Sequence, residues 1–186
     1  MRGVFVTGTD TGVGKTLAAC VLVHALRGAG RRHVPMKAIA AAREGRTLTL
    51  DFLQPALERL AAAGDFVVAE GVGGFKVPLA EGLDTVDLAR ALGLPVVLVV
   101  GLRLGCLNHA LLTADAVRAA GLPLAGWIAN AIDPDMPVRG ENVAALAERL
   151  GAPLVGELPY DPMADARALA TRIDTRKLLA ASLSRP

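Results

Sequence analysis

The chain has 186 residues, of which 53% are apolar and 20% charged, and its formal net charge is +2 at pH 7. This length and apolar content predict one domain, residues 1–186, with a substantial core, and they exclude a disordered chain. Charges are scattered, with no basic block or aromatic-interleaved basic patch, which argues against a nucleic-acid partner. The longest apolar run, 91–102, is broken by Gly93 and Pro95 and is too short to span a membrane.

Cysteine use and the start of the chain predict a cytoplasmic protein. Cys20 and Cys106 are the only cysteines, so there is neither a disulfide framework nor a CxxC metal spacing. The chain begins directly on a strand and a glycine loop, so no signal peptide is expected.

Short apolar segments alternate with longer amphipathic ones. The predicted strands are 3–7, 33–37, 66–70, 95–101, 124–130 and 153–157. The predicted helices are 15–27, 50–63, 85–91, 108–120, 140–150 and 163–182. Several strands are apolar throughout, which is typical of an α/β fold in which a mostly parallel sheet carries helices on both faces. Ligands of such sheets bind where the strands end, so we examine the residues after each strand.

A glycine-rich run, GTDTGVGKT at residues 8–16, joins the first strand to the first helix. Strand, glycine loop and helix in this order predict a phosphate-binding P-loop, whose backbone N–H groups point at a polyphosphate. Lys15 is expected to reach the outer phosphates, and the Thr16 hydroxyl is expected to bind Mg²⁺. The spacer before Gly14 is one residue longer than in the common pattern, so this loop is a variant.

Two charged residues end other predicted strands. Glu70, followed by Gly71-Val72-Gly73-Gly74, is a candidate Mg²⁺ ligand opposite Thr16, and the alternative is an exposed glutamate in a turn. Lys37 ends the second strand, which we expect beside the P-loop strand. There a second cation would stabilise a phosphoryl group in transfer, and the alternative is a solvated surface lysine.

The later strand ends suggest a base pocket and an anion site. Asn130 offers a donor and an acceptor that match a purine edge, although a turn-forming asparagine would look the same. The loop at 156–160 could form the other side of that pocket or be a plain connection. Residues 105–109 open a helix whose N–H groups could hold a carboxylate, with Asn108 as a cap, although capping alone explains this composition. No carboxylate partner for His109 is evident in the sequence, so we expect its imidazole to pack or to lie at the surface and not to act as a base.

Taken together, these segments resemble the dethiobiotin synthetase family, ATP-dependent cyclo-ligases of biotin biosynthesis within the P-loop NTPase superfamily. The similarity runs in family order over nearly the whole chain. The segments that carry it are residues 8–16, Lys37, 70–74, 104–110, 126–130 and 156–160. The P-loop and the Gly-Cys-x-Asn-His segment are the most specific of these.

The resemblance implies a reaction and a set of roles. CO₂ would add to an amine of 7,8-diaminopelargonate, ATP would phosphorylate the carbamate, and the second amine would close the ring, giving dethiobiotin, ADP and phosphate. Lys15, Lys37 and Thr11 would be the catalytic residues, and Thr16 and Glu70 would hold Mg²⁺. Cys106, Leu107 and Asn108 would bind the substrate carboxylate, typically across a homodimer interface. ATP would be bound by Gly12, Val13, Gly14, Lys15, Thr16, Leu17, Glu70, Gly71, Val72, Gly73, Asn130, Ala131, Pro159, Tyr160 and Asp161.

One stretch departs from the family pattern. The family follows its second lysine with Pro-Val-x-x-Gly and a few dozen residues that include a further Mg²⁺-binding Asp, whereas Lys37 here runs into Ala38-Ile39-Ala40. Either a loop is missing from the sequence as given or the chain carries a real internal deletion, which would impair catalysis. An intact join would keep adjacent Cα atoms about 3.8 Å apart.

Three other functions compete with this interpretation. A partitioning-type switch ATPase would carry a signature lysine early in the P-loop, where this chain has Asp10. A cobyrinate-type amide ligase would need a glutamine-hydrolysing domain, for which the chain has no room. A non-catalytic nucleotide-binding remnant is favoured only if the deletion is real.

Overall fold

The computed structural model describes residues 2–37, 55, 58–59, 62 and 64–183. Its described strands and helices alternate regularly from residue 85 to residue 158. The strands are β1 (Gly3–Gly8), β2 (His33–Lys37), β3 (Phe66–Glu70), β4 (Pro78–Ala80), β5 (Leu83–Asp84), β6 (Val96–Leu102), β7 (Leu124–Ala131) and β8 (Leu154–Leu158). The helices are α1 (Lys15–Gly28), α2 (Thr85–Leu92), α3 (Cys106–Ala119), α4 (Arg139–Arg149), α5 (Ala166–Leu169) and α6 (Thr175–Leu183), with a 3-10 turn at Ala170–Arg172.

The main sheet has six strands in the order β2-β3-β1-β6-β7-β8, and all of its neighbours run parallel. β1 lies inside the sheet, where Gly3 is opposite Val67 of β3 and Phe5 is opposite Val96 of β6. Parallel neighbours bring their carboxyl ends to one edge, so the P-loop, Glu70 and Asn130 all lie at that edge. The predicted α/β fold class is therefore confirmed.

Helices cover both faces of the sheet, as the apolar strands predict. On one face, Val4 and Val6 of β1 pack with α1 and α6. On the other face, Phe5 of β1 packs against α2, while Trp127 of β7 packs in a cluster with α3 and α4. Alternate residues of β1 thus pack into the apolar cores on opposite faces of the sheet. This packing fixes the direction in which the P-loop leaves the sheet.

The structure corrects two expectations and adds one element. β2 is not beside the P-loop strand, because β3 lies between β1 and β2. The predicted helix 163–182 is interrupted at Ile173, which bridges to Gly156 of β8. Asp174 then accepts hydrogen bonds from the backbone N–H groups of Arg176 and Lys177, at 3.1 Å each, and α6 begins there. The short hairpin of β4 and β5 is an addition that the sequence patterns did not predict.

Two expectations fall outside the described part of the chain. The predicted helix 50–63 lies largely there, and so does the join that follows Lys37. Among the described helices, none has both the length and the apolar character that crossing a membrane requires.

Candidate active site

The P-loop leaves the middle of the sheet and is held there by main-chain contacts. The Thr9 N–H donates to the Val99 carbonyl of β6 at 3.0 Å. Gly14 is the N-cap of α1 and has a φ of 86°, in the left-handed region that favours glycine. A Cβ at Gly14 would also overlap Nδ2 of Asn130, so two independent constraints require glycine there.

Lys15 lies in the first turn of α1 and is only 7% exposed. Its Nζ donates to the main-chain carbonyl of Asp10 at 2.8 Å, across the mouth of the loop. A buried ammonium needs such partners, and a bound polyphosphate would offer stronger ones. Lys15 lines a cavity at this edge of the sheet, and its role at the outer phosphates stays a prediction.

Thr16 and Glu70 converge from α1 and β3. The Thr16 hydroxyl donates to Oε1 of Glu70 at 2.7 Å, and Glu70 is 6% exposed. The alternative of an exposed turn glutamate is therefore wrong. A hydroxyl and a carboxylate side by side match the all-oxygen ligands of Mg²⁺, which usually keeps few protein ligands beside phosphate oxygens and water. The described residues contain no cluster of three or more His, Cys, Asp or Glu side chains suited to a metal ion.

These residues enclose a cavity of about 320 Å³ at the carboxyl ends of β1 and β3. We call it the phosphate cavity. It is lined by Thr11, Gly12, Gly14, Lys15, Thr16, Glu70, Gly71, Val72 and Gly73. Two further residues predicted to bind ATP, Val13 and Leu17, pack against the core instead of lining the cavity. The Val13 carbonyl instead accepts a hydrogen bond from Nδ2 of Asn130.

Lys37 lies one strand further from the P-loop than expected. Its backbone is opposite Glu70 in the register of β2 and β3. The end of β2 therefore borders the strand that supplies the carboxylate of the phosphate cavity. A catalytic role for Lys37 stays a prediction.

Asn130, near the end of β7, supports the P-loop from below. Its Nδ2 donates to the Val13 carbonyl at 2.9 Å, and the side chain is 3% exposed. The alternative of a turn-forming asparagine is wrong, because Asn130 is a buried residue within the strand. Its Oδ1 is buried and has no hydrogen-bond partner within the described part of the chain. A buried acceptor without a donor is costly, so a ligand that donates there would be favoured.

A second cavity, of about 610 Å³, opens at the ends of β7 and β8. We call it the base cavity. Its lining is Ala131, Pro134, Arg139, Glu157, Leu158, Pro159, Tyr160 and Arg172. It brings together three of the residues predicted to bind ATP, namely Ala131, Pro159 and Tyr160. Asp161 does not line it and instead accepts a hydrogen bond from the Met163 N–H at 2.9 Å.

Arg139 and Arg172 were missed because no motif marks them. One begins α4 and the other lies in the 3-10 turn, where the predicted helix was expected to continue. Only the folded arrangement brings these segments to the mouth of the base cavity.

The start of α3 differs from the expectation in one respect. The N-cap is Gly105, with a φ of 89° and no side-chain capping bond, so Asn108 lies inside the helix and is not the cap. Cys106 is buried, with Sγ 3.9 Å from Oδ1 of Asn142, whereas Asn108 is exposed. Any carboxylate bound here would therefore meet backbone N–H groups of the first turn and not the thiol.

An ion pair that the sequence did not reveal joins the P-loop to the segment before α3. Nη2 of Arg103 donates to Oδ2 of Asp10 at 2.6 Å. The Thr11 backbone N–H and the Arg103 guanidinium both hydrogen-bond the Asp10 carboxylate and hold its pKa below the ordinary value of 3.8. The residues are 93 positions apart, so no local pattern could have indicated the pair.

Comparison with known proteins places this site in a family context. A family model described as an AAA domain matches residues 32–168. The ATP-dependent dethiobiotin synthetase BioD of Nitrosospira multiformis is 44% identical over 218 aligned positions, covering 95% of this chain and 96% of that protein. The protein of the same name from Ralstonia nicotianae is 44% identical over 221 positions, covering 95% and 96%. The 218 positions exceed the 186 residues of the chain by 32, so at least that many are gaps in this chain.

Among solved structures, the MinC:MinD cell division protein complex of Aquifex aeolicus contains a chain with the same fold. It matches with a TM-score of 0.71 at 15% identity, covering 100% of this chain and 98% of that one. At this identity the likeness concerns the fold alone, and it confirms the P-loop NTPase architecture.

Proposed function

The chain belongs to the ATP-dependent dethiobiotin synthetase family, and we propose that it closes the ureido ring of dethiobiotin from 7,8-diaminopelargonate, CO₂ and ATP. The protein is thus a cyclo-ligase of biotin biosynthesis. The observation that carries the proposal is the phosphate cavity, in which Lys15 and the hydrogen-bonded pair of Thr16 and Glu70 face the same space. Such a site suits phosphoryl transfer, whose catalysis rests on positioning and charge stabilisation.

The substrate's own amines do the bond-making chemistry. One amine adds to CO₂ and loses a proton to give a carbamate, whose oxygen attacks the outer phosphorus of ATP and displaces ADP. The second amine then attacks the carbamoyl carbon, phosphate leaves, and the ring closes. No side-chain nucleophile is needed. We propose that Lys15 stabilises the charge on the transferred group, that Thr11 orients the reacting oxygens, and that Lys37 assists from the end of β2.

Mg²⁺ fits the oxygen pair of Thr16 and Glu70. When bound, it would neutralise charge on the phosphate oxygens. The short hydrogen bond between the two side chains means that a cation would replace the Thr16 proton donor as the partner of Glu70. We propose Thr16 and Glu70, which lie side by side in the phosphate cavity, as the cation's two protein ligands within the described part of the chain.

The base cavity supports ATP as the nucleotide. Within the described ranges, Oδ1 of Asn130 is a buried acceptor without a donor, and the exocyclic amine of adenine would supply one. The amide cannot turn over, because Nδ2 is committed to the Val13 carbonyl. We propose that adenine lies between Asn130 and the loop at Pro159 and Tyr160, and that its phosphates run toward the P-loop.

The remaining partners follow from the same family. We propose that the first turn of α3, at Cys106, Leu107 and Asn108, binds the carboxylate of diaminopelargonate, with the Leu107 and Asn108 N–H groups as donors because the Cys106 N–H donates to the Arg103 carbonyl. We also propose that the protein acts as a cytoplasmic homodimer. No nucleic acid or membrane partner is proposed. Size-exclusion chromatography with light scattering would measure the subunit number, and a monomer at assay concentrations would contradict the dimer.

We further propose that the gap of at least 32 positions falls after Lys37. Loss of that stretch would remove a metal-binding aspartate of the family. Inserting the corresponding residues of the Nitrosospira multiformis relative after Lys37 would then raise turnover and lower the Mg²⁺ concentration for half-maximal rate. An insertion that leaves both unchanged would contradict this placement.

The decisive experiment supplies ATP, bicarbonate, Mg²⁺ and diaminopelargonate to the purified chain. Dethiobiotin is measured by mass spectrometry and phosphate by a coupled assay, and the two should appear in equal amounts. Omitting bicarbonate or the diamine should abolish dethiobiotin formation. A chain that binds ATP but forms no dethiobiotin would be the non-catalytic remnant, and the proposed function would be overturned.

A further inference from the structure

Arg103 contacts two parts of the site that are distant in sequence. It lies between β6 and α3. Its main-chain carbonyl accepts a hydrogen bond from the Cys106 N–H at 3.0 Å, which shapes the turn into α3. Its guanidinium donates to the Asp10 carboxylate at 2.6 Å. One residue therefore contacts the start of α3 through its main chain and the P-loop through its side chain.

Asp10 passes this contact to the phosphate cavity. Its Oδ1 accepts from the Thr11 N–H at 2.7 Å, while its main-chain carbonyl accepts from Nζ of Lys15 at 2.8 Å. Thr11 and Lys15 both line the phosphate cavity. The Arg103 side chain does not line the phosphate cavity, so its effect on that cavity would pass through Asp10.

Stability gives little reason for this ion pair. The side chains of Arg103 and Asp10 are 41% and 48% exposed, and ion pairs at such positions contribute little to folding. The ion pair holds the P-loop, however, and the geometry of this loop determines the positions of Lys15 and Thr11. Small displacements of groups that act on a transferring phosphoryl reduce rates strongly.

We propose that Arg103 is a positioning residue for phosphoryl transfer, acting through Asp10 on Thr11 and Lys15. The inference rests on the proposed function. Backbone N–H groups of the P-loop and the base cavity remain intact without the pair, so most of the nucleotide affinity remains. The loss should therefore appear in kcat and much less in the KM for ATP.

The test compares Arg103→Met, Asp10→Asn and the double variant. Asp10→Asn keeps an Oδ1 acceptor for the Thr11 N–H and removes only the charge that Arg103 contacts. Each single variant should lower kcat about tenfold and change the KM for ATP less than about threefold. The double variant should lose no more than the worse single one, because both remove the same interaction. Arg103→Lys should restore much of the rate, since it keeps a cation in reach.

The matched control is Asp115→Asn, which removes the exposed Asp115–Arg118 ion pair at 3.4 Å on α3 and should leave kcat unchanged. Thermal unfolding of every variant separates a positioning effect from loss of the fold. If the wild-type chain turns over and Arg103→Met keeps its kcat, or if the losses in the double variant multiply, this inference is wrong while the proposed function stands. A wild-type chain without turnover overturns both.

Discussion

The phosphate cavity and the base cavity lie along the same edge of the sheet, but they are built differently. In the phosphate cavity the polar side chains already have protein partners: Lys15 donates to the main-chain carbonyl of Asp10, and the Thr16 hydroxyl donates to the Glu70 carboxylate. The base cavity is about twice as large, and Asn130, next to its lining residue Ala131, keeps a buried acceptor with no donor among the described residues. The phosphate cavity is thus preorganised without a ligand. Beside the base cavity, Asn130 lacks a hydrogen bond that a ligand could supply.

The difference separates affinity from catalysis. Preorganised charges stabilise a transition state without reorganisation, which favours the phosphate cavity as the place where rate is determined. An unsatisfied acceptor favours whichever base donates to it, so under the proposed function we expect the nucleotide to be selected at Asn130. Variants in the phosphate cavity should therefore change mainly kcat, whereas variants at Asn130 should change mainly the KM for ATP.

The largest effect is expected for Lys15→Ala. It removes the only described lysine of the phosphate cavity, so kcat should fall by about 10²–10³-fold, as when one transition-state donor is lost. Lys177→Ala is the matched control, since that lysine is exposed on α6 and forms an ion pair with Asp174 at 3.5 Å. Steady-state phosphate release measures both. A fall of similar size in the control would show that the loss is not specific to the site.

Gly14→Ala would disturb both ends at once. The new Cβ must adopt a positive φ and overlaps Asn130 Nδ2, so the free energy of unfolding should drop by about 2 kcal/mol or more and nucleotide binding should weaken. Gly12→Ala is a close control, because its φ is 78° but no atom lies within 4 Å of the added Cβ. It should cost only about 1 kcal/mol. Denaturant titration and nucleotide calorimetry measure the two quantities, and equal losses would contradict the contact with Asn130.

Asn130→Asp tests the base end. It is isosteric, but a carboxylate oxygen would face the Val13 carbonyl in place of Nδ2, in a site that is 3% exposed. The KM for ATP should rise about 10–100-fold, by about the cost of an unsatisfied buried group, with a smaller change in kcat. Competition by GTP should increase relative to ATP. A change in kcat alone would contradict the proposed division of roles between the phosphate cavity and Asn130.

The smallest effect concerns acid stability. Hydrogen bonds from the Thr11 N–H and Arg103 keep the pKa of Asp10 below 3.8 in the folded protein. The charged form is therefore the stabilising one. Its contribution is present above pH 3.8 and is lost as the pH falls through the lower, folded-state pKa. The stability difference between wild type and Asp10→Asn should be constant near neutrality and shrink below pH 3.8. Urea titrations across that range measure it, and a difference that grows on acidification would contradict the assigned cause.

The arrangement around the phosphate cavity could be predicted because most of its residues are close together in sequence. β1, the glycine run and α1 are contiguous, and strand, loop and helix signals agree along residues 3–28. Glu70 was found since an acidic partner is expected after a later strand. The strand boundaries also agree within a residue or two, because buried parallel strands are apolar throughout.

The remaining features depend on contacts between distant segments. Arg103 meets Asp10 across 93 residues, and Arg172 reaches the base cavity only because the chain leaves the helical path at Ile173. Helical periodicity continues through that break, so composition could not reveal it. Likewise, the position of β3 between β1 and β2 follows from pairing, which the order of the segments along the chain does not specify.

The interior position of β1 has a consequence for how the protein is made. The strand that carries the P-loop is synthesised first, but its two neighbours are β3 and β6, and the Thr9 N–H is held by Val99. During translation the first residues must therefore remain unpaired until β3, which ends at residue 70 of 186, has left the ribosome. Refolding of the isolated protein should be slow for the same reason, because loops of 60 residues and more close before β1 gains either partner. ATP-binding ability should appear late on that pathway, although the sequence that encodes it comes first.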